Sequence, residues 1–311
     1  MKSFAFLFPG QGSQSIGMMQ GLASDPVVRT IFDDASSALE QDLWSLVENG
    51  PEEQLNRTEN TQPVMLAAGI AAWRCWRERG GPEPGVLAGH SLGEYSALVA
   101  AGAMDFADAV RIVRLRGRAM QTAAPEGSGA MAAVLGLADE VLADVCSAAA
   151  GNEIVSCANF NAPGQVVIAG HAAAVDRACA MAADAGARRA IRLPVSVPSH
   201  CLLMKPAAEQ LEAALKDVRV SEPNIPVIHN ADVRGYSDPD AIRDALVRQL
   251  WQPVRWTETI RHLVAQGYGC FGECGPGKVL AGLNRRIDRD VDTHALTDEA
   301  AMDALREMIG S

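Results

Sequence analysis

The chain has 311 residues, 48% of them hydrophobic and 21% charged, which is the balance of a folded globular protein and excludes a disordered one. Lys and Arg total 27 against 38 Asp and Glu, a net charge of −11, so no basic excess exists to displace the counterions of duplex nucleic acid. The seven cysteines include no C-x-x-C pair, which argues against a disulfide framework or a zinc site and for a reducing, cytoplasmic setting.

Phe4–Phe8 is a short apolar run that predicts a buried first strand rather than a signal peptide, and Pro9-Gly10-Gln11-Gly12 forms its exit loop. Helical spacing covers 26–40 and 62–78, and Gly80-Gly81-Pro82 then breaks the chain. A strand at 86–88, a tight turn at 89–93 and a helix from 94 to 101 follow, then a long helix over 105–121. No apolar stretch is long enough to predict a membrane span.

After the glycine-rich hinge Pro125-Glu126-Gly127-Ser128-Gly129 the pattern changes. Strands are predicted at 130–135, 153–158, 165–169 and 189–193, with helices at 138–149 and 172–185 and a turn at Asn161-Ala162-Pro163-Gly164. The order β-α-β-β-α-β is the ferredoxin-like signature. Residues 127–196 are therefore read as a small domain inserted into a large one formed by 1–126 and 197–311. A cleft between the two is the expected ligand site.

Gly89-His90-Ser91-Leu92-Gly93 is the chain's one match to G-x-S-x-G. A strand-like segment precedes it and a helix-like one follows. Such an elbow lifts a serine hydroxyl out of a strained turn and puts helix N–H groups beneath a developing oxyanion. The plainer alternative is a glycine turn with Ser91 as a helix cap.

A serine nucleophile needs a base. Of His90, His171, His200, His229, His262 and His294, the proline-bounded loop before His200 makes it the leading candidate. His90 adjoins the serine, so its ring is expected to point away. His171 and His262 sit in helix-like segments, and His229 and His294 remain weaker candidates. No acid between Ser91 and His200 stands out to orient the ring, unlike the usual Ser…Asp/Glu…His order of serine hydrolases. The ring is then expected to be held by something other than a carboxylate, such as a backbone carbonyl.

Seven segments, in order, resemble the malonyl-CoA:acyl carrier protein transacylase family of fatty-acid synthesis: Phe8-Pro9-Gly10-Gln11-Gly12-Ser13-Gln14, Gly89 to Tyr95, Arg116 to Gln121, Asn161 to Gln165, Val197-Pro198-Ser199-His200, Gln249 to Val254 and Glu273 to Leu280. The resemblance implies that Ser91 is acylated and that His200 is general base, then general acid. It implies an oxyanion hole from the N–H groups of Gln11 and Leu92, Arg116 on the malonate carboxylate, and the Gln249 carbonyl behind His200. It also implies malonyl-CoA and an acyl carrier protein as partners, with no metal or redox cofactor and no nucleic-acid or membrane partner. A monomer is expected. The expected fold is α/β, a hydrolase-like large domain with a mostly parallel sheet plus the inserted ferredoxin-like domain.

The charge logic stands beside the resemblance. A guanidinium meets a carboxylate with a two-pronged fork, which selects malonyl over acetyl thioesters. Arg111, Arg114 and Arg118 share one helical face, and Arg116 points elsewhere; the bland alternative is that all four are solvated. Docking of an acidic carrier onto an acidic enzyme needs a local basic face. Arg188, Arg189 and Arg192, with Lys278, Arg285, Arg286 and Arg289, are the densest candidates, against a reading as solvated surface. Rival functions are a polyketide-type acyltransferase, a serine thioesterase or hydrolase, and a non-enzymatic acyl-group sensor.

Overall fold

A computed structural model describes residues 3–125, 127–195 and 197–310. Glu126 of the predicted hinge and Ser196 of the histidine loop lie outside the described residues. The strands are β1 (Phe4–Phe8), β2 (Val86–Gly89), β3 (Gly129–Leu135), β4 (Val155–Ala162), β5 (Gln165–His171), β6 (Arg189–Arg192), β7 (Val227–His229), β8 (Arg234–Gly235), β9 (Cys270–Glu273) and β10 (Asp292–Ala295). The helices are α1 (Pro26–Leu39), α2 (Leu43–Asn49), α3 (Glu52–Leu55), α4 (Thr58–Glu78), α5 (Gly93–Ala100), α6 (Phe106–Thr122), α7 (Asp139–Ala150), α8 (Ala172–Asp184), α9 (Lys205–Leu215), α10 (Pro239–Gln249), α11 (Trp256–Ala265), α12 (Val279–Ile287) and α13 (Glu299–Gly310).

The strands form two sheets. The larger has the order β10-β9-β1-β2-β7-β8, and every pair in it is parallel except β7 with the edge strand β8. A parallel sheet needs both faces covered, so its central strands β1 and β2 are apolar and buried throughout. β1 shows why: Phe4, Phe6 and Phe8 pack into the core beneath α1, α4 and α6, while Ala5 and Leu7 face Trp256, Ile260 and Leu280 of α11 and α12. Each of these buried Phe, Leu and Ile side chains contributes about 1.5–3 kcal/mol.

The smaller sheet is antiparallel, in the order β4-β5-β3-β6. This is the ferredoxin-like arrangement that the alternation of elements predicts. One face carries Ala130, Ala132 and Val134 against α7 and α8. The other puts Met131, Val167 and Ala169 against Cys201 and Leu203, immediately after His200. The segment just after His200 thus packs on the small sheet, while Val197 before it packs into the core beneath β1.

Several local expectations are corrected. The predicted helix at 62–78 begins at Thr58, with Pro63 inside it. Tertiary partners support its first turn: the Gln121 side chain accepts from the Glu59 N–H at 3.0 Å. β4 runs on to Ala162, so Asn161 lies on a strand and only Pro163-Gly164 makes the turn. Register shifts bend β4 toward the large domain. There Phe160 N–H donates to Val254 O, and Val254 N–H donates to Ala158 O, both at 2.9 Å. His171 ends β5 rather than lying in a helix, and its Nδ1 accepts from Ile154 N–H. Arg114 is buried rather than solvated; it reaches over to Gln41 Oε1 at 2.5 Å beside the end of α1.

Candidate active site

The site lies at the carboxyl ends of the central strands, the usual place for ligands in an open α/β sheet. β1 leads into Gln11, β2 into Ser91 and β7 into Asn230. The elbow after β2 closes because it has no side chains where the backbone doubles back. A Cβ on Gly89 would strike the carbonyl of Gly93, and one on Gly93 would strike the Phe8 carbonyl at the end of β1. Ser91 itself has φ +51°, a left-handed conformation that costs a non-glycine residue of order 1–3 kcal/mol. Gly10 abuts the His90 carbonyl, so the loop carrying Gln11 lies against the elbow carrying Leu92. Among the described residues, neither the Gln11 nor the Leu92 N–H donates to a group of the protein.

Ser91 Oγ donates to His200 Nε2 at 2.7 Å. The opposite nitrogen, Nδ1, donates to the Gln249 main-chain carbonyl at 2.8 Å, which fixes the tautomer that leaves Nε2 as an acceptor. His200 is buried, and burial, with the Arg116 charge second, pushes its pKa down to about 3. His200 also has φ +60°, held by its own N–H to Leu250 O at 3.1 Å.

Arg116 comes from α6 and is 1% exposed. It donates to Gln62 Oε1 at 2.9 Å, Gln249 Oε1 at 3.0 Å and Ser91 Oγ at 3.2 Å, with the Tyr95 ring centroid 5.6 Å away. Among the described residues, no carboxylate is within salt-bridge distance of it. Burial pulls its pKa down, opposed by the nearby Tyr95 and Glu94. Removing a lone cation from water costs several kcal/mol, so the pocket is built to receive an anion. Its neighbours Arg111 and Arg118 are exposed and paired with Asp108 and Glu59.

Beneath the dyad lies a buried polar network. Asn230 Oδ1 accepts from Ser91 N–H and its Nδ2 donates to Gly89 O, both at 2.6 Å. Gln249 Nε2 donates to Ser91 O at 2.9 Å and to Glu94 Oε2 at 3.0 Å. Glu94 also accepts from Asn230 N–H at 2.8 Å and from His229 Nδ1 at 2.7 Å. His90 does point away from the serine oxygen, its Nε2 donating to Asn161 Oδ1 at 2.8 Å on β4. Of the histidines weighed as bases, His229 is spent on Glu94 and His294 lies on the edge strand β10. Sequence reasoning missed Gln62, Glu94 and Asn230, and weighed His229 only as a base. The one signal for Glu94 was its place in the elbow segment; the others carry no local pattern. No cluster of metal-ligating side chains occurs among the described residues.

A parallel sheet, a strained serine elbow and a buried cation beside it define the class, an α/β acyl transferase. Residues 5–298 match the acyl transferase domain family. The malonyl CoA-acyl carrier protein transacylase of Escherichia coli K12 is 54% identical over 309 residues, covering 99% of this chain and 100% of its own. The structure of the malonyl CoA-acyl carrier protein transacylase from Coxiella burnetii superposes with a TM-score of 0.99 at 49% identity, over 100% of this chain and 98% of that one. A malonyl-transacylase solved in complex with a type II PKS acyl-carrier protein superposes with a TM-score of 0.97 at 52% identity, over 99% of this chain and 100% of that one. The chain belongs to the malonyl CoA-acyl carrier protein transacylase family.

Proposed function

We propose that this enzyme moves a malonyl group from malonyl-CoA to the phosphopantetheine thiol of an acyl carrier protein, in the cytoplasm and in the service of fatty-acid synthesis. The observation that carries the reading is the buried guanidinium 3.2 Å from a serine oxygen that is itself 2.7 Å from an imidazole. A malonyl thioester has its carboxylate two carbons from the reacting carbonyl. Arg116 is close enough to Ser91 to hold the first while Oγ attacks the second.

The reaction runs in two halves. Ser91 Oγ attacks the thioester carbon as its proton passes to His200 Nε2. The tetrahedral oxyanion lies against the N–H groups of Gln11 and Leu92. The carbon–sulfur bond then breaks, the sulfur takes the proton from His200, and CoA leaves a malonyl ester on Ser91. In the second half a carrier thiol gives its proton to His200, its sulfur attacks the ester, and the proton returns to Ser91 Oγ. The Gln249 carbonyl holds the ring in one tautomer through both halves. Thiol-to-thiol acyl exchange is redox-neutral and balanced in protons, so the cycle calls for no metal or redox cofactor.

The test is transfer itself. Enzyme, malonyl-CoA and phosphopantetheinylated carrier protein are mixed and the carrier is weighed by mass spectrometry. The reading expects a malonyl-carrier product, with initial rates giving the parallel double-reciprocal lines of ping-pong kinetics. Free malonate released at the rate of CoA, with no carrier product, would instead make the protein a hydrolase.

A further inference from the structure

The mechanism above leaves the most heavily bonded carboxylate near the site without a task. Glu94 is fully buried in the first turn of α5, three residues after the nucleophile, and touches no reacting atom. Its oxygens take three donors: His229 Nδ1 on one, Asn230 N–H and Gln249 Nε2 on the other. Gln249 in turn serves both arms of the site. Its main-chain oxygen holds His200, and its side-chain oxygen accepts from Arg116.

We propose that Glu94 is a positioning residue that sets the direction of the Gln249 amide and thereby holds the Arg116 clamp in register with the nucleophile. The inference rests on the malonyl-transfer reading given above. An amide can be turned end for end, and here only one direction works. As found, Gln249 Oε1 faces the Arg116 donors, and Nε2 faces the Glu94 carboxylate and the Ser91 carbonyl. Reversed, the amide would set two donors against each other at Arg116 and two acceptors against each other at Glu94, each a buried unsatisfied contact. The carboxylate that a catalytic triad places behind its histidine stands here behind a glutamine. Through it one acid orders the clamp by a side chain, while the same glutamine's backbone serves the base. Asn230, held by Glu94 through its N–H, brackets the elbow on the other side by bonding the Ser91 N–H and the Gly89 carbonyl.

Two conservative variants separate reach from charge. Glu94→Gln removes the charge but keeps an oxygen where Gln249 needs it, its new amide facing His229, whose ring can switch tautomer. Glu94→Asp keeps the charge but withdraws the oxygens by one methylene. The readout is the ratio of malonyl to acetyl loading from the two CoA thioesters, followed by intact-protein mass, with thermal unfolding measured alongside. Asp is expected to lower the malonyl preference by roughly tenfold, through a raised KM for malonyl-CoA, as the charge-assisted bond to Arg116 slackens. Gln is expected to hold the preference within about threefold of wild type. A merely structural role would lower loading of both thioesters together and leave the ratio alone. An unchanged ratio in Glu94→Asp, or a ratio lost more in Gln than in Asp, overturns the proposal. Wild-type enzyme that takes no malonyl group at all would instead overturn the transfer reading on which it rests.

Discussion

Arg116 is a cation taken out of water with only neutral acceptors bonded to it. Its Nε has no partner among the described residues. On the proposed reading a substrate carboxylate supplies what the fold withholds. Arg116→Ala should therefore cut the rate of malonyl loading by about 100-fold, the worth of one good charge-assisted pair, and acetyl loading only a few-fold. Loading rates with the two CoA thioesters check this, and equal losses would remove the clamp. His200 adds a pH signature. Burial first, and Arg116 second, push its pKa from the ordinary 6.5 down to about 3. The free enzyme then keeps a neutral base through mildly acidic pH, and the pH profile of kcat/KM should show no acid limb near 6.5. The sign for stability follows. The unfolded chain takes up this proton first, so the contribution present above the ordinary imidazole value is lost as pH falls from 6.5 toward 3. In Arg116→Ala the limb should move upward, because one of its two largest depressing causes is gone.

At the scale of elements, the elbow is the segment in which sequence and geometry speak most directly. The strand, turn and helix around Ser91 were legible because the constraint is local: each glycine stands where a Cβ would strike backbone. Gly93→Ala should accordingly destabilise the fold by about 3 kcal/mol or more, since the carbonyl it would strike ends the central strand β1, is held by the His90 N–H and cannot step aside. Chemical denaturation would show it, and a wild-type midpoint would mean that α5 can slide off β1. His200 was legible through the prolines that pin its loop. The Gln249 carbonyl behind His200 was legible only by resemblance, and the proposed oxyanion hole of Gln11 and Leu92 comes from the same source. The roles of Gln62, Asn230, Glu94 and His229 were not legible, because each acts through a partner far away in sequence, and no spacing records such a meeting. The same blindness misplaced Arg114: helical periodicity grouped it with its solvated neighbours, but the segment after α1 covers it.

At the scale of the molecule, the cationic residues noted in the sequence fall on two bodies. Arg188 lies just before β6, with Arg189 and Arg192 on it, and Arg285 and Arg286 are on α12. Arg286 reaches across to Gln165 of β5 at 2.5 Å, so the two groups flank one seam. Arg192 is partly spent on Asp176. Arg189 and Arg285 are exposed, and we propose that they meet an acidic carrier. Reversing both, Arg189→Glu with Arg285→Glu, should raise the apparent KM for carrier protein about tenfold or more and make it less sensitive to salt, while loading from malonyl-CoA stays at the wild-type rate. Transfer unaltered by both reversals would move the docking face elsewhere. The alternation of elements made this two-sheet architecture readable in outline. The seam itself was hidden, because β4 bends by register shifts to pair with Val254, a contact between segments nearly a hundred residues apart in the chain.

Weighing the intact protein after a brief exposure to malonyl-CoA alone, without any carrier, is the most direct measurement of all. The account predicts one malonyl group per chain, carried on the peptide containing Ser91 and absent from Ser91→Ala. An unmodified wild type, or an adduct that persists in Ser91→Ala, would contradict it.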